Sequence, residues 1–226
     1  TWERVGAGPT AAPTVPDYAL KFDGVAGIAT LPTVLRNDGG PYTVEAYVTP
    51  GRVTGRGETQ SVVSMGGTSK MHLQMHSGTW YQFSAYGANG SVSTNSPDSP
   101  LVGRRVHLAA ACDGKTVRLY VDGKCKKYSA GDGKSQTAVP TTTVGGRRGD
   151  GEAGVADLFL GLVDEVRISK ACRYDADFTP ADRFAPDADT VALYHCDEGA
   201  GTVLTDSSGN GHHGTLTGVT WERGYD

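Results

Sequence analysis

The sequence lacks the features that would place it in a membrane or on a nucleic acid. No apolar run approaches the roughly 20 residues that a membrane-spanning helix needs. The 21 basic residues are outnumbered by 25 acidic ones and lie in short, scattered groups, so no basic stripe is present. No stretch repeats its apolar residues with the 3.6-residue period of a helix. We therefore expect no membrane insertion and no nucleic-acid binding.

Short alternating runs dominate what the sequence does contain. Its 32 glycines, many in Asp-Gly, Asn-Gly and Gly-Gly pairs, separate runs in which apolar and polar residues alternate. The pattern predicts an all-β sandwich or barrel, and no linker divides the middle of the chain. We predict one domain over residues 18–226, after an extended lead-in over residues 1–17. The first residue is Thr1 rather than Met, which predicts a mature form or an excised piece.

A hairpin over residues 71–86 has a register that its own residues select. A three-residue loop at 77–79 pairs Met75 with Tyr81 and Leu73 with Phe83, which collects the apolar side chains on one face. A two-residue loop would mix the two faces, so we predict the longer loop. The opposite, polar face then carries His72, Gln74, His76, Trp80, Gln82, Ser84 and Tyr86.

Two Asp-Gly pairs, at 113–114 and 122–123, predict tight turns between three further strands. The first turn places Leu108 opposite Leu119 on an apolar face. The same registers place Cys112 and Cys125 two strands apart on opposite faces, beyond the roughly 7 Å between Cα atoms that a disulfide can span.

The other two cysteines are better placed for a bridge. Cys172 lies in a connection rich in Pro and Asp, and Cys196 follows the strand after that connection. Of the pairings that four cysteines allow, we favour the disulfide Cys172–Cys196, which indicates an oxidising, extracellular setting.

Several segments together resemble the laminin-G-like, concanavalin A-like domains of large extracellular bacterial proteins. They are Ala19-Leu-Lys-Phe-Asp-Gly24, Val44-Glu-Ala-Tyr-Val-Thr-Pro50, His107-Leu-Ala109, residues 113–124, Gly161-Leu-Val-Asp-Glu-Val-Arg-Ile168, Leu193-Tyr-His-Cys-Asp-Glu-Gly199 and residues 206–214. The resemblance implies a two-sheet antiparallel jelly-roll sandwich with one concave sheet, often with a structural calcium ion. It also implies a secreted or cell-surface location. The chain departs from the family at Arg105 and Tyr47, where Trp is usual, and at Cys196, where Phe is usual.

Asp164 is the residue that most needs a partner. Strand alternation predicts that it shares a face with Leu162, Val166 and Ile168, and an isolated carboxylate on an apolar face is costly. It therefore needs a cation or several N–H donors. The resemblance points to the same position as a calcium ligand.

The loop Asp206-Ser-Ser-Gly-Asn-Gly211 supplies the other half of a predicted calcium site. Its oxygen side chains at alternate positions, followed by Gly, match the first half of an oxygen-rich calcium loop. We predict calcium bound by Asp164, Asp206, Asn210 and a carbonyl group near His212. In the alternative, Asp206 and Asn210 only form Asx turns, and Asp164 accepts backbone N–H groups.

The polar face of the hairpin is a candidate glycan platform, as the resemblance implies. Aromatic rings stack on sugars while amides and imidazoles bond to hydroxyl groups. We predict ligand binding by His72, Gln74, Trp80, Gln82 and Tyr86. The alternative is an ordinary solvated sheet surface.

Catalysis is not expected. The Glu-x-Asp-x-x-Glu spacing of jelly-roll glucanases is absent from the sequence. Alternation also points Asp164 and Glu165 to opposite faces, where they could not act as an acid/base pair. We predict a non-catalytic, secreted binding or adhesion module whose partner is a glycan or another extracellular surface component.

One repeat supports a second hypothesis. The tetrapeptide Thr1-Trp-Glu-Arg4 recurs as Thr220-Trp-Glu-Arg223. Chance rarely repeats four residues that include a tryptophan, although a coincidence at a segment boundary is the alternative. The repeat favours a structural subunit of an extracellular fibre, sheath or surface layer, which binds copies of itself through its termini.

Overall fold

Every regular element that the structure describes is a β-strand. The structure is a computed structural model, and it describes residues 17–32, 40–66, 71–77, 80–87, 90–131, 141–148 and 154–223. The strands are β1 Tyr18–Asp23, β2 Ile28–Leu31, β3 Tyr42–Pro50, β4 Thr59–Met65, β5 Met71–His76, β6 Trp80–Gly87, β7 Gly90–Asn95, β8 Val106–Cys112, β9 Thr116–Val121, β10 Lys124–Ala130, β11 Thr142–Val144, β12 Arg147–Arg148, β13 Val155–Ala156, β14 Leu160–Ser169, β15 Thr190–Tyr194, β16 Val203–Leu204, β17 Gly214–Thr217 and β18 Thr220–Arg223. Residues 1–16 of the predicted lead-in lie outside the described residues.

Two antiparallel sheets of eight strands pack face to face. Sheet A has the order β10-β9-β8-β3-β14-β1-β18, with β15 also paired to β14, and sheet B has the order β16-β17-β2-β11-β4-β5-β6-β7. Strands distant in the chain, such as β3 and β14, are direct neighbours, as in a jelly roll. The predicted two-sheet antiparallel jelly-roll sandwich is confirmed.

One hydrophobic core fills the space between the sheets. Val44 and Leu108 of sheet A and Leu73 and Phe83 of sheet B are fully buried in it. The hairpin formed by β5 and β6 has the predicted register, with Leu73 opposite Phe83. Burying each such side chain contributes roughly 1.5–3 kcal/mol. Because a shift by one residue would turn this whole apolar set outward, the hydrophobic pattern fixes the register.

The register of β8 and β9 differs from the prediction by two residues. Leu119 lies opposite Ala110 rather than Leu108. The turn is wider than two residues because Asp113 Oδ1 accepts the N–H groups of Lys115 and Thr116, both at 2.8 Å. A shift of two residues leaves every side chain on its predicted face.

A β-bulge in β14 changes the face of Asp164. The register pairs Asp164 with Tyr47 and resumes only at Arg167, which leaves Glu165 and Val166 together in the bulge. Glu165 has a φ of 47°, a left-handed value that L-residues seldom adopt. Val166 faces the core between the sheets, whereas Asp164 faces the opposite side, beside Tyr47. The prediction that Asp164 shares a face with Val166 is therefore wrong.

The connection between β14 and β15, residues 170–189, covers the outer face of sheet A. Phe184 packs on Tyr47 there, with 5.9 Å between the ring centroids. Phe178 packs on Tyr120 at 5.3 Å, and its N–H group bonds to the carbonyl oxygen of Gly123 at 2.9 Å. Polar side chains on this face are consequently buried and must find partners inside the protein.

All four cysteines are free thiols. Cys196 and Cys112 are buried in the core between the sheets. Cys172 and Cys125 pack beside Tyr120, on the other side of sheet A. Because sheet A lies between them, the predicted disulfide Cys172–Cys196 is not formed, and this prediction is corrected.

Candidate functional site

Glu45 is fully buried on the outer face of sheet A, at the centre of a hydrogen-bonded network. Its Oε1 accepts the Nε–H group of Arg167 at 2.8 Å, and its Oε2 accepts the Tyr174 hydroxyl at 2.8 Å and lies 3.1 Å from His107 Nε2. Burial alone would raise the pKa of Glu45, but the hydrogen bond from His107 and the charge of Arg167 lower it below its ordinary value. The network attaches the connection 170–189 to the sheet.

A pocket of about 330 Å³ opens at the edge of this connection. Its lining residues include Tyr18, Tyr47, Arg105, Asp164 and Arg183. The guanidinium of Arg105 lies over the Tyr47 ring, 3.5 Å from its centroid, and donates to Asp164 Oδ2 at 2.9 Å. The two positions at which the chain departs from the usual Trp thus contact each other and form one wall of the pocket.

Asp164 is a carboxyl group with an altered acidity. Burial raises its pKa to about 7, although the hydrogen bond and charge of Arg105 act to lower it. Its Oδ1 accepts the backbone N–H group of Glu165 at 2.8 Å. The partner of Asp164 is therefore a guanidinium and a backbone amide.

Glu165 is buried and lines the same pocket as Asp164. The prediction that these two carboxylates point to opposite faces is therefore wrong. Glu165 Oε1 lies 2.6 Å from His195 Nδ1, and its Oε2 accepts the N–H group of Phe184 at 2.7 Å. Arg183 lies near it but bonds more closely to Asp197, at 2.6 Å. The charged groups at this end of the pocket are paired with one another.

The predicted calcium ligands are not brought together. Asp164 contacts Arg105, whereas Asp206 is held by its own loop and by β15. Both oxygens of Asp206 are occupied, by the N–H groups of Leu193, Ser208 and His212 at 2.9–3.0 Å. Burial raises the pKa of Asp206, but these three donors hold it below its ordinary value.

The other two predicted ligands are also engaged. Asn210 turns its Nδ2 donor toward the carbonyl oxygens of Thr190 and Val191, both at 3.0 Å. The carbonyl oxygen of His212 accepts the Tyr194 hydroxyl at 2.5 Å. Across the described ranges, no group of three or more His, Cys, Asp and Glu side chains could hold a metal ion. The described contacts thus give Asp164 and Asp206 separate partners, and calcium binding by this set stays a prediction. Of the alternative, Asp206 forms the expected Asx turn with the N–H group of Ser208, whereas Asn210 donates to β15 instead.

The structure does bring four of the five predicted sugar-binding residues onto one face. His72, Gln74, Trp80 and Gln82 lie on the outer face of sheet B, opposite the core. On this face Trp80 is half-buried, whereas His72, Gln74 and Gln82 are buried. The strand position of Tyr86 is on the same face, but its side chain lies outside the described residues. A chain of amides runs across the face from Gln74 to Gln82 and on to Asn95, and its second hydrogen bond measures 2.8 Å.

Aromatic rings lie at one end of this polar face. The rings of His76 and Trp80 pack at 6.4 Å between centroids, with 31° between their planes. His76 Nδ1 bonds to the Thr59 hydroxyl at 3.0 Å, which fixes its ring. The indole N–H of Trp80 has no hydrogen-bond partner in the described part of the chain. Sequence reasoning identified this face but missed Asn95, since its contribution depends on the pairing of β6 with β7.

The sandwich is similar to several solved structures. A carbohydrate-binding protein of Bacteroides ovatus, provisionally described as such, superposes with a TM-score of 0.72 at 16% identity, over 93% of this chain and 61% of that chain. The chain thus spans about three fifths of the length of that protein. Domain 4 of the extracellular arabinanase AbnA of Geobacillus stearothermophilus, in complex with arabinotriose, gives 0.50 at 22% identity, over 66% and 69% of the two chains.

A third similar structure is also a complex with a sugar. It is the CBM40 of the Ruminococcus gnavus IT-sialidase bound to α2,3-sialyllactose, with a TM-score of 0.50 at 16% identity, over 60% of this chain and 78% of that chain. No curated protein sequence matches the chain. At these identities the structural similarities show a shared fold.

Sequence similarity to a protein family agrees with the fold. Residues 23–177 match the family model for laminin-G-like domains of the concanavalin A-like lectin/glucanases superfamily. The match includes all of β3, β8, β9 and β14, which lie side by side in sheet A. The chain belongs to the concanavalin A-like lectin/glucanases superfamily.

Proposed function

We propose that the protein is a non-catalytic carbohydrate-binding module that binds a glycan on the polar outer face of sheet B. The observation that carries the proposal is the pair of half-buried rings, His76 and Trp80, at one end of the face that holds the amide chain Gln74–Gln82–Asn95. The ring faces of Trp80 and His76 would pack on a sugar ring, and the half-buried amide of Asn95 would bond to its hydroxyl groups.

The pocket beside Arg105 is the weaker candidate for the glycan site. Two of its charged side chains, Arg105 and Asp164, bond to each other, and a third, Arg183, bonds to Asp197 outside the pocket lining. A sugar hydroxyl there would share each carboxylate with its arginine, whereas the amide chain on sheet B is held in place and half-buried aromatic rings border it. Preorganised polar groups beside an aromatic surface suit sugar recognition.

A glycan array that includes α2,3-sialyllactose and arabino-oligosaccharides, followed by calorimetry, tests the proposal. We expect binding to at least one glycan class, and we expect Trp80→Ala to weaken it at least tenfold. Tyr128→Ala is the matched control, since it removes an aromatic ring that is 69% exposed on β10 of sheet A. An array without a hit, or equal binding by the Trp80 variant and wild type, would refute the proposal.

We also propose an extracellular location, which the family resemblance supports. In the described residues, no helix is long and apolar enough to cross a membrane.

Mass spectrometry tests the proposed absence of catalysis, because any glycan that binds should stay intact after incubation with the protein. Appearance of a shorter product would overturn the non-catalytic part of the proposal.

A further inference from the structure

The pocket beside Arg105, on the outer face of sheet A, contains more carboxyl groups than guanidinium groups. Its charged lining residues are Asp17, Asp164, Glu165, Asp182, Arg105 and Arg183. Each guanidinium already has a carboxylate partner, Asp164 for Arg105 at 2.9 Å and Asp197 for Arg183 at 2.6 Å. The pocket therefore has no unpaired cation for an anionic ligand, whereas its negative charge is in excess.

These carboxyl groups lie at different depths. Asp164 is buried in the wall of the pocket, yet 12% of its side chain stays exposed, so a ligand can reach it. Asp17 and Asp182 are exposed, and neither makes an ion pair with any residue that the structure describes. A cation that approaches from solvent is thus attracted first by Asp17 and Asp182 and then by Asp164.

Asp164 retains unused capacity to accept hydrogen bonds. Its Oδ2 accepts from Arg105, and its Oδ1 accepts the N–H group of Glu165 at 2.8 Å. A carboxylate has about four acceptor positions, so about half of them have no donor among these contacts. Burial is the largest cause of the raised pKa of Asp164, and the charges of Glu165 and Asp17 act in the same direction. The protein itself therefore compensates this negative charge only in part.

The rest of the lining offers apolar contacts. Ala19 is buried, and Leu162 and Tyr18 are half-buried. Such a surface packs against methylene groups or the C–H groups of a sugar ring. A volume of about 330 Å³ is near the lower end of the range for ligand pockets and fits about one sugar residue or one long side chain.

We propose that this pocket binds a primary ammonium group on a short carbon skeleton, as in an amino sugar or a lysine side chain. The three N–H donors of the ammonium bond to Asp164, at acceptor positions that Arg105 leaves unused. The carbon skeleton packs on Leu162 and Tyr18, and Asp182 attracts the charge at the entrance.

A metal ion is the less suitable cation for this pocket. Across the described ranges, no three His, Cys, Asp and Glu side chains converge as metal ligands. An ammonium group needs no such convergence, because its N–H donors point in different directions. The site is separate from the polar face of sheet B and does not depend on glycan binding there, so Trp80→Ala should leave it unchanged.

NMR titration of the full-length protein at pH 7 tests the proposal with two matched pairs of probes. Glucosamine is compared with N-acetylglucosamine, and Nα-acetyl-lysine amide with its Nε-acetylated form. In at least one pair, the charged member should shift the resonances of Ala19 and Leu162 and should bind at least tenfold more tightly. The pair that responds identifies a sugar or a side chain as the source of the ammonium. Equal binding within both pairs, or no binding by any probe, would overturn the proposal.

Asp164→Asn keeps the size of the side chain but removes its charge, so it should weaken binding of the responding probe at least tenfold. Asp189→Asn is the matched control, at an exposed carboxylate outside the pocket lining, and should bind like the wild type. Ala19→Met should also block binding, because it fills the pocket without a change of charge. Melting temperatures confirm that each variant is folded. Binding by Asp164→Asn that equals the wild type would refute the site.

The pH dependence of binding provides a second readout. Affinity for the lysine probe should rise by up to about tenfold between pH 6 and pH 8, because ionised Asp164 attracts the ammonium and its pKa is about 7. The other groups that titrate or carry charge around Asp164 are Asp17, Glu165, Asp182, Arg105, Arg183, Tyr18, Tyr47 and, beyond Glu165, His195. The same series on Asp164→Asn separates their effects. A wild-type affinity that shows no larger rise than the variant would contradict the proposal.

Discussion

The guanidinium of Arg105 lies 3.5 Å from the centroid of the Tyr47 ring and donates to Asp164 at 2.9 Å. Arg105 and Tyr47 replace the tryptophans that are usual at these positions in laminin-G-like domains. A cation over an aromatic face contributes about 0.5–2 kcal/mol. The pair therefore keeps an aromatic contact on the outer face of sheet A and also supplies the positive charge beside Asp164.

Asp164→Asn should change the pH dependence of stability. Burial raises the pKa of Asp164 to about 7 in the folded protein, from 3.8 ordinarily, so the folded state holds this proton more tightly than the unfolded state. The contribution of Asp164 to stability therefore falls as the pH rises from about 4 to about 7, by up to about 4 kcal/mol. The variant should be more stable than the wild type at pH 8 and equal to it at pH 4.

Chemical denaturation across that pH range measures the effect of Asp164→Asn. Asp189→Asn is a control, since that side chain is an exposed carboxylate in the connection over sheet A. A stability difference between the variant and the wild type that does not change between pH 4 and pH 7, or a destabilised variant at pH 8, would contradict the prediction.

Glu45→Gln should destabilise the fold by about 3–5 kcal/mol, because it leaves the charge of Arg167 buried without its carboxylate. Glu45 is fully buried, and Arg167 is 8% exposed. Since the pKa of Glu45 is lowered, its contribution is present above the ordinary value of 4.5 and is lost as the pH falls through the lower folded value. The loss in the variant should therefore be fully developed at pH 7.

The exposed pair Arg52–Glu58 is the matched control for Glu45. Glu58→Gln should leave the midpoint of urea unfolding unchanged, because exposed ion pairs contribute little. Comparable losses in the two variants would mean that the Glu45 network does not anchor the connection over sheet A.

Asp206→Ala should lower the free energy of unfolding by about 2–4 kcal/mol, because backbone N–H groups that bond to Asp206 would lose their acceptor.

Removal of metal ions with a chelator should leave the melting temperature of the wild type unchanged, since the described contacts already occupy both oxygens of Asp206. Calorimetry with and without millimolar calcium measures this. Asp175→Ala, at an exposed carboxylate, is the control.

A melting temperature that rises with calcium in the wild type but not in Asp206→Ala would contradict the prediction for metal removal. It would mean that the loop exchanges its N–H donors for a cation, as the sequence pattern suggested.

The sequence by itself determined the sandwich and the faces of its clearest strands. The apolar residues of the β5–β6 hairpin allowed one register, because any shift by one residue would turn Leu73 and Phe83 outward. The same alternation placed Glu45 and Tyr47 on the outer face of β3. It also located the polar face that contains Trp80.

Only the tertiary structure decided where Asp164 points and which groups meet it. A bulge at Glu165, with positive φ at a residue other than glycine, interrupts the period of two on which the prediction depended. The connection 170–189 then covers this face, where Asp164 pairs with Arg105. The two-sheet arrangement also places sheet A between Cys172 and Cys196. Alternation is a local property of one strand. The bulge in β14, the connection that covers sheet A and the partner of Asp164 depend instead on elements that are distant in the chain.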